Sequence, residues 1–295
     1  MNRRKVLVLA IGIAGLATVA PAQAPQAAPL VVHQLKPNVY WVEGGGGNSG
    51  VIVGDKSVIV VDAKTTAAAA KELLDDIAKI TPKPVTTVIL THSDQDHVNG
   101  LAAFPAAVKV IAHENNKKEQ EAALSAGGRG APPADRLPSQ LVSKQKEALT
   151  IDGVKLELYH WAPAHTSGDL VIYLPAEKIV FTGDIIAMTL PDPLIHLEKN
   201  GTSEGWIATT KGMVALDSDQ FVPGHGDIQT KAAIQKRLAD AEAKRAKIKE
   251  LVAQGKSLDE VKAAVDPPAA APAAGGRGPT FATYTQVVYQ ELTKK

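Results

Sequence analysis

Cysteine is absent from the 295 residues of this chain. No disulfide can form, and a metal site would have to use histidine, aspartate or glutamate because no thiolate is available. An excess of either charge is also absent, since 32 basic side chains balance 31 acidic ones and the formal net charge is +1. That balance gives no electrostatic basis for binding nucleic acid or an acidic membrane surface. We therefore expect no nucleic-acid partner.

Long apolar runs are missing apart from one near the N-terminus, at residues 6–20. A basic start, Asn2–Lys5, precedes this run, and Ala22-Gln23-Ala24 follows it in the A-x-A form of a cleavage site. The run is shorter than the ~20 residues that a membrane span needs. We predict a secretory signal peptide over residues 1–24, cleaved near Ala24. The mature chain is then expected to lack a membrane span and to be periplasmic or secreted.

β-Branched runs separated by polar turns occupy most of the mature chain. They predict strands over 31–61, 85–90, 108–113 and 147–184. Helical spacing of apolar residues predicts one helix that begins after Thr65 or Thr66 and a longer one over 229–254. The core pattern is uninterrupted from about 31 to 265. We predict a single α/β domain over 25–295, with a low-complexity loop at 267–280 before a final short helix or strand.

Four of the eight histidines share one local context, because each follows a strand-like run and lies beside glycine, aspartate or threonine. These histidines, and three aspartates placed in the same way, are His92, His97, His165, His225, Asp94, Asp96 and Asp184. Strand ends that converge on one rim are where open sheets usually form sites. A single loop histidine is ordinarily a surface residue, but seven such residues at strand ends are hard to explain as solvated turns.

The order and spacing of these residues resemble the metallo-β-lactamase superfamily. The family motif is His-x-His-x-Asp-His, whereas THSDQDH at 91–97 has Asp94 in place of the second histidine. Residues 48–63 resemble the family's opening hairpin and 165–184 its central strands, and the resemblance extends over about 31–230. It implies a four-layer αβ/βα sandwich with metal ions at one edge. In texture the chain is most similar to exported bacterial zinc β-lactamases.

The resemblance also implies a binuclear metal centre. Its ligands would be His92, Asp94 and His165 at the first metal, Asp96, His97 and His225 at the second, and Asp184 as the bridge. A hydroxide between the metals would attack a carbonyl or phosphoryl group, with Asp96 as the catalytic residue that orients it and passes on its proton. The expected cofactors are two divalent ions, zinc in first place and manganese or iron(II) as alternatives.

Asp94 has two interpretations, a lost ligand or a different ligand. Aspartate binds zinc at about 2.0–2.2 Å, and every other position of the motif set is intact. We therefore predict a working metal site with a carboxylate ligand at 94. The charge of two divalent ions would then be balanced by three carboxylates and one hydroxide, so a neutral centre with a less acidic bound water is expected.

Two further segments are candidates for contact with substrate. His196 lies between Asp184 and Trp206, in a loop that the family places over its site, and it is the second catalytic candidate. The GGGGN segment at 44–48 lies where the family has its substrate flap, and it is either a lid or a plain turn. His113 and His160 end apolar strands and are expected to be structural.

The reaction is the least determined part of the sequence-based account. Asp184 stands where many zinc β-lactamases carry a cysteine, and Ala187 where many carry a substrate-binding lysine, so β-lactams are not expected to be the main substrates. We predict an exported hydrolase that attacks the carbonyl of a small cyclic amide or ester, β-lactam-like or lactone. The alternatives are a mononuclear iron dioxygenase of the same fold, a thioesterase, phosphodiesterase or sulfatase, and a non-catalytic binding protein.

Overall fold

The computed structural model describes residues 29–127, 134–266 and 281–294. The predicted signal peptide at 1–24 and the predicted low-complexity loop at 267–280 lie outside these residues. No helix within the described ranges combines the length and the apolar character that crossing a membrane requires.

Seven strands form the first sheet, and they are ordered as they occur in the chain. β1 to β4 are antiparallel neighbours, whereas β4 to β7 pair in parallel. The strands are β1 Val31–Lys36, β2 Val39–Glu43, β3 Ser49–Val53, β4 Val58–Val61, β5 Val85–Ile89, β6 Lys109–His113 and β7 Gln140–Val142. The hairpin strands predicted for 31–61 are confirmed.

Five strands form the second sheet, in the order β12-β11-β10-β9-β8. Only the β11–β12 pair is parallel. The strands are β8 Lys146–Ile151, β9 Val154–Tyr159, β10 Val171–Leu174, β11 Ile179–Ala187 and β12 Gln220–His225. β10 and β11 are buried throughout, as expected for β-branched strands covered on both faces.

Most of the α-helices in the described residues lie on the outer faces of the two sheets. The α-helices are α1 Ala67–Ile80, α2 Gln95–Val98, α3 Glu114–Ser125, α4 Ser203–Ala215, α5 Lys231–Ala253, α6 Leu258–Val265 and α7 Tyr284–Thr293. The Thr66 side chain caps α1 by accepting from Ala69 N at 3.1 Å, which confirms the predicted start of that helix. The apolar face of α1 packs on the first sheet, and α5 packs with the second.

Apolar side chains of both sheets meet in the centre of the molecule. Ile59 and Ile111 of the first sheet are buried in one cluster with Leu158, Ile172 and Val222 of the second. Two more clusters lie between each sheet and its helices. The layers are therefore helix, sheet, sheet and helix, and the predicted αβ/βα sandwich is confirmed.

The buried core continues beyond the predicted limit at about 265. Tyr284, Val287 and Val288 of α7 are buried in the cluster that includes Ile248 of α5. The segment that follows the low-complexity stretch is thus a helix, begun by a capping box at Thr283. Its short apolar pattern becomes part of the core through packing on α5, α6 and α4.

Candidate metal centre and active site

The predicted site residues lie at one edge of the sandwich. His92 follows β5, His225 is the last residue of β12, and His165 lies in the loop between β9 and β10. Asp94 is the N-cap residue of the short helix α2, and His97 lies within that helix. Because β4, β5 and β6 run parallel, the loops after them converge on this edge.

Asp184 is placed differently from the prediction that it follows a strand. It lies inside β11, where pairing with β12 shifts register between Phe181 and Gly183 and again before Ala187. Such an irregularity redirects a side chain. The bulge thus turns the Asp184 carboxylate into the site from within the strand.

The first group of donor atoms comprises His92, Asp94, His165 and Asp184, and these atoms all lie within 4.8 Å of one another. Asp94 Oδ2 is 3.7 Å from His92 Nε2 and 3.2 Å from His165 Nε2. The carboxylate at position 94 therefore faces both histidines of the predicted first metal site, as a ligand there must.

The second group comprises Asp96, His97 and His225, whose donor atoms also lie within 4.8 Å of one another. Asp96 Oδ2 is 3.0 Å from His225 Nε2 and 3.8 Å from His97 Nε2. These three residues are the predicted second metal site.

Asp184 lies between the two groups. Its Oδ1 atom is 3.3 Å from His97 Nε2, and its Oδ2 atom is 3.4 Å from His225 Nε2 and 3.9 Å from His92 Nε2. One carboxylate therefore reaches histidines of both groups, which is the arrangement of a bridging ligand.

Several of these donor atoms are buried without a hydrogen bond. They include His92 Nε2, His97 Nε2 and Asp184 Oδ1. An unpaired buried polar atom costs about 1–3 kcal/mol, so such atoms rarely cluster without a reason. Imidazole nitrogens and carboxylate oxygens are ligands of zinc, manganese and iron(II). The donor set therefore fits two divalent ions.

Carboxylates hold protons on the histidines when no metal competes. Burial opposes a charge on His165, but the hydrogen bond to Asp94 and its charge raise the pKa of His165 to about 9. Burial likewise opposes a charge on His225, and hydrogen bonds to Asp184 and Asp96 raise its pKa to about 9. His92 differs, because burial and the nearby His97 hold its pKa well below the usual value.

Asp62 and Thr91 orient the two innermost histidines from behind. Asp62 Oδ2 is 2.8 Å from His97 Nδ1, and Thr91 Oγ1 is 2.8 Å from His92 Nδ1. Thr91 also donates to Asp62 through both its backbone N and its hydroxyl, at 2.7 Å each. These contacts occupy the Nδ1 atoms and leave Nε2 toward the centre, as the partners of metal-bound histidines do.

Lys199 brings a cation into contact with the first group of donor atoms. Its Nζ donates to Asp94 Oδ1 and, at 3.0 Å, to Ser93 Oγ. The two oxygens of Asp94 are thus divided, one toward the ammonium and one toward the histidines.

His196 lies beside the first group. Its Nε2 is 3.2 Å from Asp94 Oδ2, and its Nδ1 is paired with the Glu198 carboxylate. The ring makes edge-to-face contacts with His165 and Phe281, at centroid distances of 4.7 and 4.5 Å. The structure therefore brings His196 to the site, and its catalytic role stays a prediction.

A cavity of about 550 Å³ opens over the two groups. Asp94, Asp96, His196, Lys199 and Phe281 contribute to its wall. Small-molecule sites have volumes of about 300–1,000 Å³, so the cavity can hold a small substrate against the donor atoms.

The comparison with known families decides the membership. The family model of the metallo-beta-lactamase superfamily matches residues 42–225, which is more than half of the chain. The chain belongs to the metallo-β-lactamase superfamily. The predicted family is confirmed, and members of this superfamily usually bind divalent metals at sites of this kind.

Individual relatives within the superfamily act on different compounds. The alpha subunit of 2,4-dinitroanisole O-demethylase from Nocardioides sp. (strain JS1661) is 31% identical over 144 residues, covering 48% of this chain and 41% of that protein. Metallo-beta-lactamase type 2 from Bacillus sp. (strain 170) is 26% identical over 171 residues, covering 56% and 60%. The chain spans less than two thirds of the length of either relative.

A solved structure is similar over most of the chain. The sec-alkylsulfatase from Pseudomonas sp. has a TM-score of 0.68 and 23% identity, and the match covers 90% of this chain and 50% of that one. At this identity the likeness shows the shared fold and leaves the reaction undetermined.

Hydrogen bonds from a buried lysine hold the glycine-rich segment 44–48 in place. The Lys64 ammonium is buried and donates to the carbonyls of Val42, Gly44 and Gly47 at 2.8, 2.8 and 3.0 Å. A Cβ on Gly47 would lie 2.2 Å from His97 Cε1, so glycine is needed for this close approach. Of the two interpretations, a held turn packed on the second group describes the segment better than a free lid.

Asp62, Lys199 and Phe281 are site residues that the sequence-based account misses. Asp62 directly follows β4, so the strand-end rule that selected the other aspartates could have found it. Lys199 and Phe281 carry no local signal. By contrast, His113 and His160 stack on each other at 3.8 Å, in keeping with their expected structural role.

Proposed function

We propose that this chain is a binuclear metal-dependent hydrolase that attacks the carbonyl of a cyclic amide or ester. The observation that carries the proposal is the set of buried, unbonded donor atoms, shared between two groups by Asp184. Buried polar side-chain atoms normally have a hydrogen-bond partner. We further propose zinc as the metal, with manganese or iron(II) as alternatives.

Two bound divalent ions would lower the pKa of water to about 7 and polarise the bond under attack. Asp96 belongs to the second group and also lines the cavity, so its carboxylate can orient a water and receive its proton. Burial opposes ionisation of Asp96, but the hydrogen bond with His225 keeps its pKa below the usual value. Asp96 is therefore ionised at neutral pH, as a base must be.

The His196–Glu198 pair is suited to holding a proton for the leaving group. Because Glu198 occupies Nδ1, the other ring nitrogen is the one that lies 3.2 Å from Asp94 Oδ2, beside the first group. An imidazole oriented by a carboxylate in this way can give up or accept a proton at Nε2. We propose this role for His196 and, from the N-terminal sequence, a periplasmic or secreted location.

A substrate panel tests the proposal. Zinc-reconstituted protein is assayed with β-lactam, lactone, thioester, phosphodiester and sulfate-ester substrates, before and after treatment with a chelator. Hydrolysis of the cyclic amide or ester that is lost with the metal, and lost in Asp96→Asn but retained in the surface variant His33→Gln, supports it. Oxygen uptake with a single iron per chain would instead identify a dioxygenase.

A second candidate is cleavage of an ether or a sulfate ester. The O-demethylase subunit has a higher identity to this chain than the β-lactamase has, and a sec-alkylsulfatase has a similar fold. The aromatic ring of Phe281 at the cavity rim favours an apolar group on the substrate. Preferential turnover of an aryl methyl ether or an alkyl sulfate in the same panel would select this candidate.

A further inference from the structure

An apolar groove lies beside the cavity of the candidate active site. Its volume is about 330 Å³, and it is formed by Leu190, Pro191, Pro193, Leu194 and Phe281 with the start of α7. Leu190 and Phe281 are large apolar residues that stay 40% and 45% exposed. Contiguous exposed apolar residues usually mark a binding surface.

The groove and the active-site cavity share a wall. Phe281 lines both, and its ring contacts His196 edge to face at 4.5 Å. On the other wall, Leu194 O is 2.9 Å from His165 Nδ1 and fixes that ring. A ligand in the groove therefore lies next to the first group of donor atoms.

The wall of the groove is held in place by α5. Arg237 donates to the carbonyls of Leu190, Pro191 and Asp192 at 3.0, 3.3 and 2.9 Å. Lys244 donates to the Asp192 carboxylate at 2.7 Å. A wall fixed by these bonds needs little ordering when a ligand binds.

The polar groups around the groove already have partners. Thr283 Oγ1 accepts from Gln286 N at 3.2 Å, and Tyr284 donates to Ala241 O at 3.2 Å. The Asp192 carboxylate is bound to Lys244. The groove can therefore bind a ligand through apolar contacts, whereas these polar groups are not free to form hydrogen bonds with it.

We propose that the groove binds the apolar tail of the substrate, an unbranched alkyl or acyl chain. The reacting group at the head of that chain would then lie past Phe281, against the donor atoms. This inference rests on the proposed function for the reacting end, and it assigns Phe281 and Leu190 as residues that determine chain-length specificity.

The test is the affinity of a homologous series of ligands. Butanoate, hexanoate and octanoate are titrated calorimetrically into zinc-loaded protein. A chain that enters the groove should tighten binding by about fourfold for each methylene buried. In Phe281→Ser and Leu190→Ser the gain in affinity for each added methylene should fall toward onefold, which is no gain. Leu141→Ser is the matched control, because Leu141 is 43% exposed on β7 and lines neither cavity.

Hydrolysis of lactones that carry unbranched side chains of the same lengths separates this inference from the proposed function. A chain-length increment in binding without any lactone turnover supports the groove and contradicts the hydrolase. Turnover with equal affinity for all three acids, or an increment that Phe281→Ser and Leu190→Ser leave unchanged, overturns the groove and leaves the hydrolase standing.

Discussion

At the residue scale, Asp94 and Lys199 form a unit. In the proposed centre, the +4 charge of two divalent ions would be cancelled by Asp94, Asp96, Asp184 and one hydroxide, which is the neutral centre expected from the sequence. Lys199 donates to Asp94 and adds one positive charge directly beside this set. The charge of Lys199 would offset the unit of charge that aspartate removes relative to histidine at position 94. The neutral centre stays a prediction, and the contact between Lys199 and Asp94 is one that the sequence does not display.

The activity–pH profile should report this pairing. Removing the ammonium in Lys199→Met makes an activated water less acidic, so the acidic limb should move to higher pH by on the order of one unit. Asp94→His should move the limb the other way, and the double variant should return near the wild-type position. Lys178→Met, which removes an exposed lysine paired with Asp217, is the control. An acidic limb that Lys199→Met does not move would contradict the account.

Metal binding should release protons at neutral pH. The pKa values of His165 and His225 are raised to about 9, and the charges of Asp184 and Asp62 outweigh burial to raise that of His97. Metals bind neutral imidazole, so two ions should displace roughly three protons at pH 7.5. Calorimetric titration in buffers of different ionisation enthalpy measures this number.

The same raised pKa values determine how the stability of the metal-free protein changes with pH. Groups whose folded pKa is raised contribute stability that is fully present below about pH 6.5 and is lost as the pH rises through about 9.

His113→Ala is the control for the proton-release titration, since burial lowers the pKa of His113 to about 4 and this histidine is already neutral at about pH 7.5. Metal binding without proton release would show that the site histidines are not protonated.

At the element scale, local signals decide which elements could be predicted. The Thr66 cap, the Ser257 capping box and the end of α5 at Gly255 are set by residues within one helical turn, and the sequence displays them. The bond between Lys199 and Asp94 joins residues 105 positions apart, so no periodicity reveals it. The bulge that places Asp184 inside β11 depends on pairing with β12 and is equally invisible.

The glycine-rich segment and Lys64 should make stability depend on pH. Burial outweighs the charge of Asp62 and lowers the pKa of Lys64 to about 7, from 10.5. The unfolded chain thus binds this proton more strongly, and the free energy of unfolding should rise between pH 7 and 10.5. Lys64→Met should lack this rise, which urea unfolding of zinc-loaded protein at pH 7 and 9 measures.

The matched control for Lys64→Met is Lys71→Met, which removes an exposed lysine of α1. It should keep the wild-type dependence of unfolding free energy on pH. Equal slopes for wild type and Lys64→Met would mean that Lys64 does not titrate in this range, and that the segment 44–48 is held by other contacts.

At the scale of the whole molecule, the sandwich fold and the edge that carries the site residues can be predicted from the sequence, whereas the limits of the core cannot. An apolar strand and the residues that follow it are local features of the sequence. Such a pattern at β5 places His92 correctly, just past the end of the strand. The contribution of α7 to the core, and of Phe281 to the cavity, depends on how the chain returns after 267–280. Those contacts cross the molecule and cannot be predicted from spacing.

The number of metal ions per chain tests the central claim most directly. Protein saturated with zinc, freed of excess by gel filtration and analysed by mass spectrometry of its metal content should retain two zinc ions per chain. Asp184→Asn, which removes charge from the bridge, should retain fewer, while His33→Gln should retain two. A wild-type content of one ion or none would contradict the binuclear centre.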